Sequence, residues 1–319
     1  MTQQHSLILL GGAHVHLPDH LTSARNAGWT IAAVHDRDAR RAADMADRTG
    51  APVVLDDLSD LARHGAAVFV CSETVHHPED VTAALNAGLP VFCEKPLTIH
   101  HDDALALADL SRRTGTMLET GFFMRSYEPL AALRALIQAG RLGDPVHIRA
   151  CFAHDGGYAD WLDVTGWMSD PELTFYGGFA DEGVHVLDWL LWTFGDVRQA
   201  RAVLGHSLGL DVDDHGAAIM RLGASGTAVV EAGWTDTRMR LELDITCTRG
   251  GASLSDQTLR VWDRGGNVLM EKNLDPLDAG RGSAAFLARC TDPDRPPLVL
   301  PEEAARVTAL LETLYASVT

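Results

Sequence analysis

Positive charge is what this chain lacks most: 26 Lys and Arg stand against 44 Asp and Glu, a formal net charge of −18. That balance argues against a nucleic-acid or anionic-membrane partner and favours solubility. No run approaches the roughly eighteen apolar residues of a membrane span. The opening Met1-Thr2-Gln3-Gln4-His5 has no basic stretch of the kind that starts a signal peptide. Cysteine is sparse and unpaired in pattern. Cys71, Cys93, Cys151, Cys247 and Cys290 are odd in number, scattered, and form no C-x-x-C. Cys71 and Cys93 fall in apolar runs, where a thiol acts as a small hydrophobe. Repeats and low-complexity segments are missing too. The expectation is a cytoplasmic globular protein, and 319 residues suffice for two domains with sizeable cores.

What is present begins as alternation. Apolar runs at Ser6–Leu10, Thr30–Val34, Val53–Leu55, Ala67–Val70 and Leu89–Cys93 read as strands. Helical patterns separate them: one opening near Pro18 or Asp19, one through Ala39–Ala46 closed by Gly50, one over Asp57–His64, and one over Pro78–Asn86 closed by Gly88. Strands alternating with helices of about ten residues mean βαβ units and a parallel sheet.

The first turn carries Gly11-Gly12-Ala13-His14-Val15-His16, a poor match to G-x-G-x-x-G. Gly11, Gly12 and Ala13 still let backbone N–H groups approach a pyrophosphate, with His14 and Val15 continuing the turn. Asp36, at the end of the second strand, suits the ribose hydroxyls of a dinucleotide. Cys71, Ser72 and Glu73 end the fourth strand at the same sheet edge. His14, His16 and His20 also permit a metal, because imidazoles at alternate positions converge. No carboxylate–histidine set elsewhere has matching spacing, so the expectation is no metal.

The strand ending at Cys93 stops abruptly at Glu94-Lys95-Pro96. Strand carboxyl ends face the ligand crevice of an open parallel sheet, so a carboxylate and an ammonium stand where chemistry is done. Proline stops the strand and restricts Lys95 to extended backbone. Further on, Phe179–Trp192 reads as a helix after Tyr176-Gly177-Gly178. Asp181, His185, Asp188 and Trp192 share one face of it by the i, i+4, i+7 pattern. Acids and an imidazole on a half-buried face are costly unless paired or functional. Two readings stay open here: a structural His–Asp hydrogen bond, or a general base, His185, oriented by a carboxylate.

Ser72-Glu73-Thr74-Val75-His76-His77, Ala84–Gly88, Glu94-Lys95-Pro96, Gly121-Phe122-Phe123-Met124-Arg125 and Gly177–Asp188 run in an order that resembles the Gfo/Idh/MocA family of NAD(P)-dependent oxidoreductases. The likeness covers residues 6–190, and the remainder matches more loosely. It implies a catalytic Lys95, Asp181 and His185. Histidine removes the hydroxyl proton as hydride passes to nicotinamide, lysine polarises the reacting oxygen, and aspartate assists. It implies a cis Lys95-Pro96 bond and cofactor contacts at Ser72, His77, Glu94 and Lys95. It also implies a sugar, inositol or related polyol substrate met by Lys95, Arg125, Asp181 and His185, and a homodimer or homotetramer formed through the C-terminal sheet. Asp36 points to NAD, because a carboxylate repels the 2′-phosphate of NADP, while Arg37 beside it leaves NADP open. The chain departs from the family's usual Thr-Pro-Asn at Ser72-Glu73-Thr74 and from its fuller glycine fingerprint, both on the cofactor side.

From Val146 the pattern changes to strands without helical crossovers: Val146–Phe152, Arg201–Gly205, Ala217–Leu222, Thr227–Trp234, Leu241–Thr246 and Leu259–Trp262, with a hairpin turn at Gly223–Gly226. The expected architecture is an α/β Rossmann domain over residues 1–121. An α+β domain with a large, mostly antiparallel open sheet follows over 122–319, ending in a helix from Pro301 to Ala316. Between strands, His154, Asp155, Tyr158, Trp161 and Trp167 lie in a glycine-, acid- and aromatic-rich loop suited to a sugar, and Trp234 at a strand end joins them. Two rival functions remain at this stage. One uses tightly held NAD as a transient oxidant for elimination, glycoside cleavage or epimerisation. The other is a non-catalytic nucleotide or sugar sensor.

Overall fold

The computed structural model describes residues 5–159 and 161–318, which divide into two compact units. One unit runs to Phe123 and takes in Glu172–Thr174 and Asp278–Thr308. The other comprises Met124–Pro171, Phe175–Leu277 and Ala309 onward.

The first unit is built from β1 (Ser6–Leu10), α1 (Leu17–Asn26), β2 (Thr30–His35), α2 (Ala39–Thr49), β3 (Val53–Val54), β4 (Ala67–Val70), α3 (His77–Asn86), β5 (Val91–Cys93), α4 (His101–Thr114) and β6 (Leu118–Thr120). All strand pairs are parallel and the order is β3-β2-β1-β4-β5-β6. That is the doubly wound order, whose reversal between β1 and β4 opens a crevice at the strands' carboxyl ends. Leu7, Ile8, Leu9 and Leu10 are wholly buried, as are Ala67–Val70. Strands covered on both faces read as unbroken apolar runs, which is what these segments are. Capping sets the helix limits. Asp38 accepts from Arg40 and Arg41 N–H at the start of α2, and Gly50 in left-handed backbone ends it. Residues 57–64, expected as a helix, form only a short 3₁₀ turn at Leu61–Arg63. Asp57 there accepts from Ser59 backbone and hydroxyl, and that local bonding competes with a helix.

The second unit holds α5 (Glu128–Gln138), β7 (Pro145–Ala153), α6 (Gly178–Phe194), β8 (Val197–Gly205), β9 (His215–Leu222), β10 (Gly226–Gly233), β11 (Arg240–Cys247), β12 (Gly250–Ser255), β13 (Thr258–Asp263) and β14 (Val268–Asn273). Its strands form one sheet in the order β14-β13-β12-β11-β7-β10-β9-β8, antiparallel except where β10 lies parallel to β7. Helix α6 packs on β10, β7 and β9.

Two helices close the chain, α7 (Gly280–Thr291) and α8 (Pro301–Ala316). Helix α7 packs against α1, and its Phe286 stacks with Phe69 and Phe92 in the core of the first unit. A single cut near residue 121 therefore does not describe the units, because Asp278–Thr308 returns to the first. No helix among the described residues is long and apolar enough to cross a membrane.

Candidate functional site

At the carboxyl edge of the parallel sheet, Gly11 takes φ +79° and donates to His35 O at 2.8 Å. A Cβ there would stand 2.2 Å from Ser72 Cα, so only glycine lets the turn after β1 lie against the turn after β4. Gly12 N–H donates to Asp36 Oδ2 at 2.8 Å. The same oxygen accepts Arg41 Nε at 2.6 Å, while Asp36 Oδ1 accepts Asp38 N–H at 2.8 Å. Arg41 also reaches Glu73 Oε1 at 2.6 Å, tying two candidate cofactor contacts together. Arg37 pairs with Glu79 and Asp80, and Ser72 Oγ donates to Asp80 Oδ2 at 2.6 Å. Ala13 is half-buried and Val15 exposed, whereas Cys71 is buried. Burial first, then the nearby Glu94 charge, pushes the Cys71 thiol well up, so it stays protonated.

Glu94 and Lys95 follow β5 and are both buried, with Lys95-Pro96 cis. Glu94 Oε2 accepts Lys95 N–H at 2.9 Å. Three imidazoles from the loop after β1 and from α1 surround this carboxylate. His20 Nε2 lies 2.5 Å and His16 Nδ1 3.3 Å from Oε1, and His14 Nε2 lies 3.6 Å from Oε2. His20 Nδ1 is 2.9 Å from Ser283 Oγ on α7. Burial alone would raise the Glu94 carboxyl. The charges of His14 and His16 and the hydrogen bonds from His16 and His20 outweigh it and hold the group well below the usual carboxylate range. His77 is wholly buried, with Nδ1 3.0 Å from Pro96 O and Nε2 3.1 Å from Ser72 O, bracing the two loops that carry Ser72 and Lys95.

In the second unit, α6 starts where Gly177 and Gly178 pass the Val212–Asp214 loop. Cβ atoms there would lie 2.0 Å from Asp213 O and 2.4 Å from Asp214 O. Asp213 Oδ2 accepts Phe179 N–H at 2.8 Å and Oδ1 accepts the Tyr315 hydroxyl at 2.7 Å, placing a carboxylate at the positive end of the helix dipole. From this anchored start, Asp181 and His185 follow one turn apart. Asp181 Oδ2 accepts Trp234 Nε1 at 2.7 Å, and His185 is buried edge-on to Phe152 at 5.7 Å. Glu182, which sequence reasoning passed over, accepts His154 Nε2 at 3.0 Å. Gly156 N–H donates to His154 Nδ1 at 3.0 Å, so the neutral ring carries its proton on Nε2. Trp161 lies against His154, the tilted rings 4.5 Å apart at their centroids, and donates to Asp155 Oδ1 at 3.1 Å. Tyr158 is exposed, and Trp167 packs beside Leu162, Met168, Val212 and Trp234. Arg125 makes a bidentate pair with the buried Asp188, Nε to Oδ2 at 2.8 Å and Nη2 to Oδ1 at 2.6 Å. That pair holds the start of the second unit to α6.

Within each unit the expected residues gather. Gly11, Gly12, Asp36, Ser72, Glu73 and Glu94 line one sheet edge, and His154, Asp181 and Trp234 meet at the start of α6. Arg41 and Glu182 carried no sequence motif. Arg41 sits five residues after Asp36 and Glu182 beside Asp181, and those spacings were the available signals.

A six-stranded parallel sheet in this order, with a glycine-tight first turn and an acid closing β2, defines a dinucleotide-binding domain. Residues 9–122 match the oxidoreductase family with an NAD-binding Rossmann fold, and residues 130–253 match the GFO/IDH/MocA C-terminal domain. The chain belongs to the Gfo/Idh/MocA family of oxidoreductases. It is 26% identical to D-xylose 1-dehydrogenase (NADP(+)) 2 of Haloferax volcanii, over 97% of this chain and 96% of that protein. It is 31% identical to a myo-inositol dehydrogenase of Streptomyces leeuwenhoekii, over 67% of this chain and 66% of the other. The fold matches the crystal structure of an inositol dehydrogenase homolog complexed with NAD+ from Azotobacter vinelandii at a TM-score of 0.82. That pair is 17% identical, with 98% of this chain and 95% of that one covered.

Proposed function

We propose that the protein is an NAD(P)-dependent dehydrogenase or reductase acting on a secondary alcohol or ketone of a sugar, inositol or related cyclic polyol. One observation carries the reading: α6, in a family of oxidoreductases, presents Asp181 and buried His185 one turn apart, with Asp181 held by Trp234. The named activities of the xylose and inositol dehydrogenase relatives support the substrate class.

The turn after β1 fits a dinucleotide, since Gly11 admits no side chain against Ser72 and keeps the turn tight at the sheet edge where a pyrophosphate binds. Gly11–Val15, Ser72 and Glu73 would hold the phosphate side, Asp36 the adenosine ribose, and Glu94 and His77 the nicotinamide side. Asp36 favours NAD, and its pairing with Arg41 offsets the charge that would repel NADP. The bound nicotinamide supplies the hydride acceptor or donor. His185 takes the hydroxyl proton on a ring nitrogen as the carbon is oxidised, the general-base role that imidazole fills most often. The Lys95 ammonium stabilises the developing alkoxide. Asp181 assists, and His154, Asp155, Tyr158, Trp161 and Trp167 offer hydroxyl acceptors and aromatic faces to a sugar.

Steady-state assay of a polyol panel with NAD+ and NADP+ tests this. Lys95→Ala and His185→Ala are expected each to lose turnover by at least the ~10²–10⁴-fold typical of general acid–base groups, with NADH affinity kept. Near-normal turnover in either variant overturns the assignment. Release of stoichiometric NAD(H) on denaturation, without net NADH production, would point instead to an internal redox cycle.

A further inference from the structure

We propose that His14, His16 and Glu94 form a binding site for one divalent transition-metal ion of the zinc class, braced by His20. The expectation of no metal rested on finding no carboxylate at matching spacing in the sequence. The fold supplies that carboxylate from β5, 78 residues beyond His16.

Geometry comes first. His14, His16 and Glu94 each offer one ligand atom, and those three atoms all lie within 4.8 Å of one another. Ligands at about 2.0–2.1 Å around a tetrahedral ion stand roughly 3.3 Å apart. The two imidazole–carboxylate separations, 3.3 Å from His16 Nδ1 to Oε1 and 3.6 Å from His14 Nε2 to Oε2, lie at that value and slightly above it, so small side-chain shifts would bring the donors around such an ion.

Donor chemistry selects the metal class. Two imidazoles and one carboxylate suit zinc and its neighbours, whereas magnesium and calcium require oxygen ligands throughout. The outer contacts are those a metal site uses. His20 Nε2 holds Glu94 Oε1, its Nδ1 meets Ser283 Oγ, and Lys95 N–H fixes Oε2, so the carboxylate cannot swing away. His14, His20 and Glu94 are buried, while the His16 side chain stays 23% exposed, so the cluster is reached from solvent through His16. Ligation through His14 Nε2 moves that ring's proton to Nδ1 and releases the 3.2 Å bond from His16 N–H.

Isothermal titration of the full-length protein with Zn2+, after chelator dialysis, tests the site, with Co2+ as a spectroscopic stand-in. The expected result is one equivalent that His16→Ala weakens at least ~100-fold, beyond the ~10–100-fold that outer-shell changes cost, with loss of the tetrahedral Co2+ visible bands. His147→Ala, at an exposed histidine on β7, should leave that equivalent in place. His16 is partly exposed, so its variant is expected to fold, which its far-ultraviolet spectrum without metal checks. His14→Ala and Glu94→Gln give independent checks. Wild-type binding only at millimolar Zn2+, or unchanged stoichiometry and affinity in His16→Ala, overturns the proposal. NADH titration in chelated buffer is read separately, so failure of the metal site and failure of the dehydrogenase reading are distinguishable.

Discussion

At the scale of single residues, His77 shows how a buried ring ties loop geometry to pH. Burial is the largest influence on it and lowers its pKa, against the opposing pull of Asp80, of the Pro96 and Ser72 carbonyls, and of Glu94. A folded-state pKa below that of the unfolded chain means the unfolded state takes up the proton first. The associated stability is whole above about pH 6.5 and drains away as pH falls through the folded value. Thermal melts of the parent should therefore fall between about pH 6.5 and 5, and His77→Gln should show a shallower acid slope over that range. Identical slopes in the two proteins would show that His77 titrates alike folded and unfolded. The residue scale is also where the sequence was least complete. The spelling H-x-H-x-x-x-H is visible in residues 14–20. Its convergence on Glu94 depends on β4 lying between β1 and β5, which no local pattern encodes.

Among elements, those with strong period and clear punctuation were legible. Strand β4 is an unbroken apolar run, α2 has an aspartate cap and a terminal glycine, and α6 has a glycine pair whose tight passage past Asp213 and Asp214 explains its spelling. Strands β6, β12 and β14 were not read. The first has three residues, and the other two carry polar or glycine positions whose place is set by the ladder they join. Helix α7 is the telling omission. Its segment Gly280-Arg281-Gly282-Ser283 is a poor helix former. It is stabilised by burying Phe286 against Phe69 and Phe92, by Gly282 packing near Phe92, and by Gly280 O accepting from Ser23. Phe286→Ala is expected to destabilise the protein by about 3–5 kcal/mol, the usual cost of emptying a buried phenylalanine site, measured by urea unfolding. A cost under about 1 kcal/mol would mean the site collapses around the gap.

At the scale of the whole molecule, the eight-stranded sheet poses a question of cover. Helix α6 shields the face bearing Ala202, Ala218 and Met220, all buried. Strand alternation puts Val203 and Ile219 on the opposite face, where they are 76% and 60% exposed. Val203 and Ile219 are diagonal neighbours across the β8–β9 pair, and adjacent apolar side chains on an exposed sheet face mark an association surface more often than isolated ones do. We propose that this face joins copies of the chain in a homodimer or homotetramer, as the family resemblance implies. Ile219→Glu places a charge in such a contact, opposite Arg201 on β8, and burying it there would carry a desolvation cost of several kcal/mol. Light scattering coupled to size exclusion should show an oligomer for the parent and a shift towards monomer for Ile219→Glu, with an unchanged far-ultraviolet spectrum. A monomeric parent at micromolar concentration, or an oligomer that Ile219→Glu leaves intact, would place the contact elsewhere or remove it.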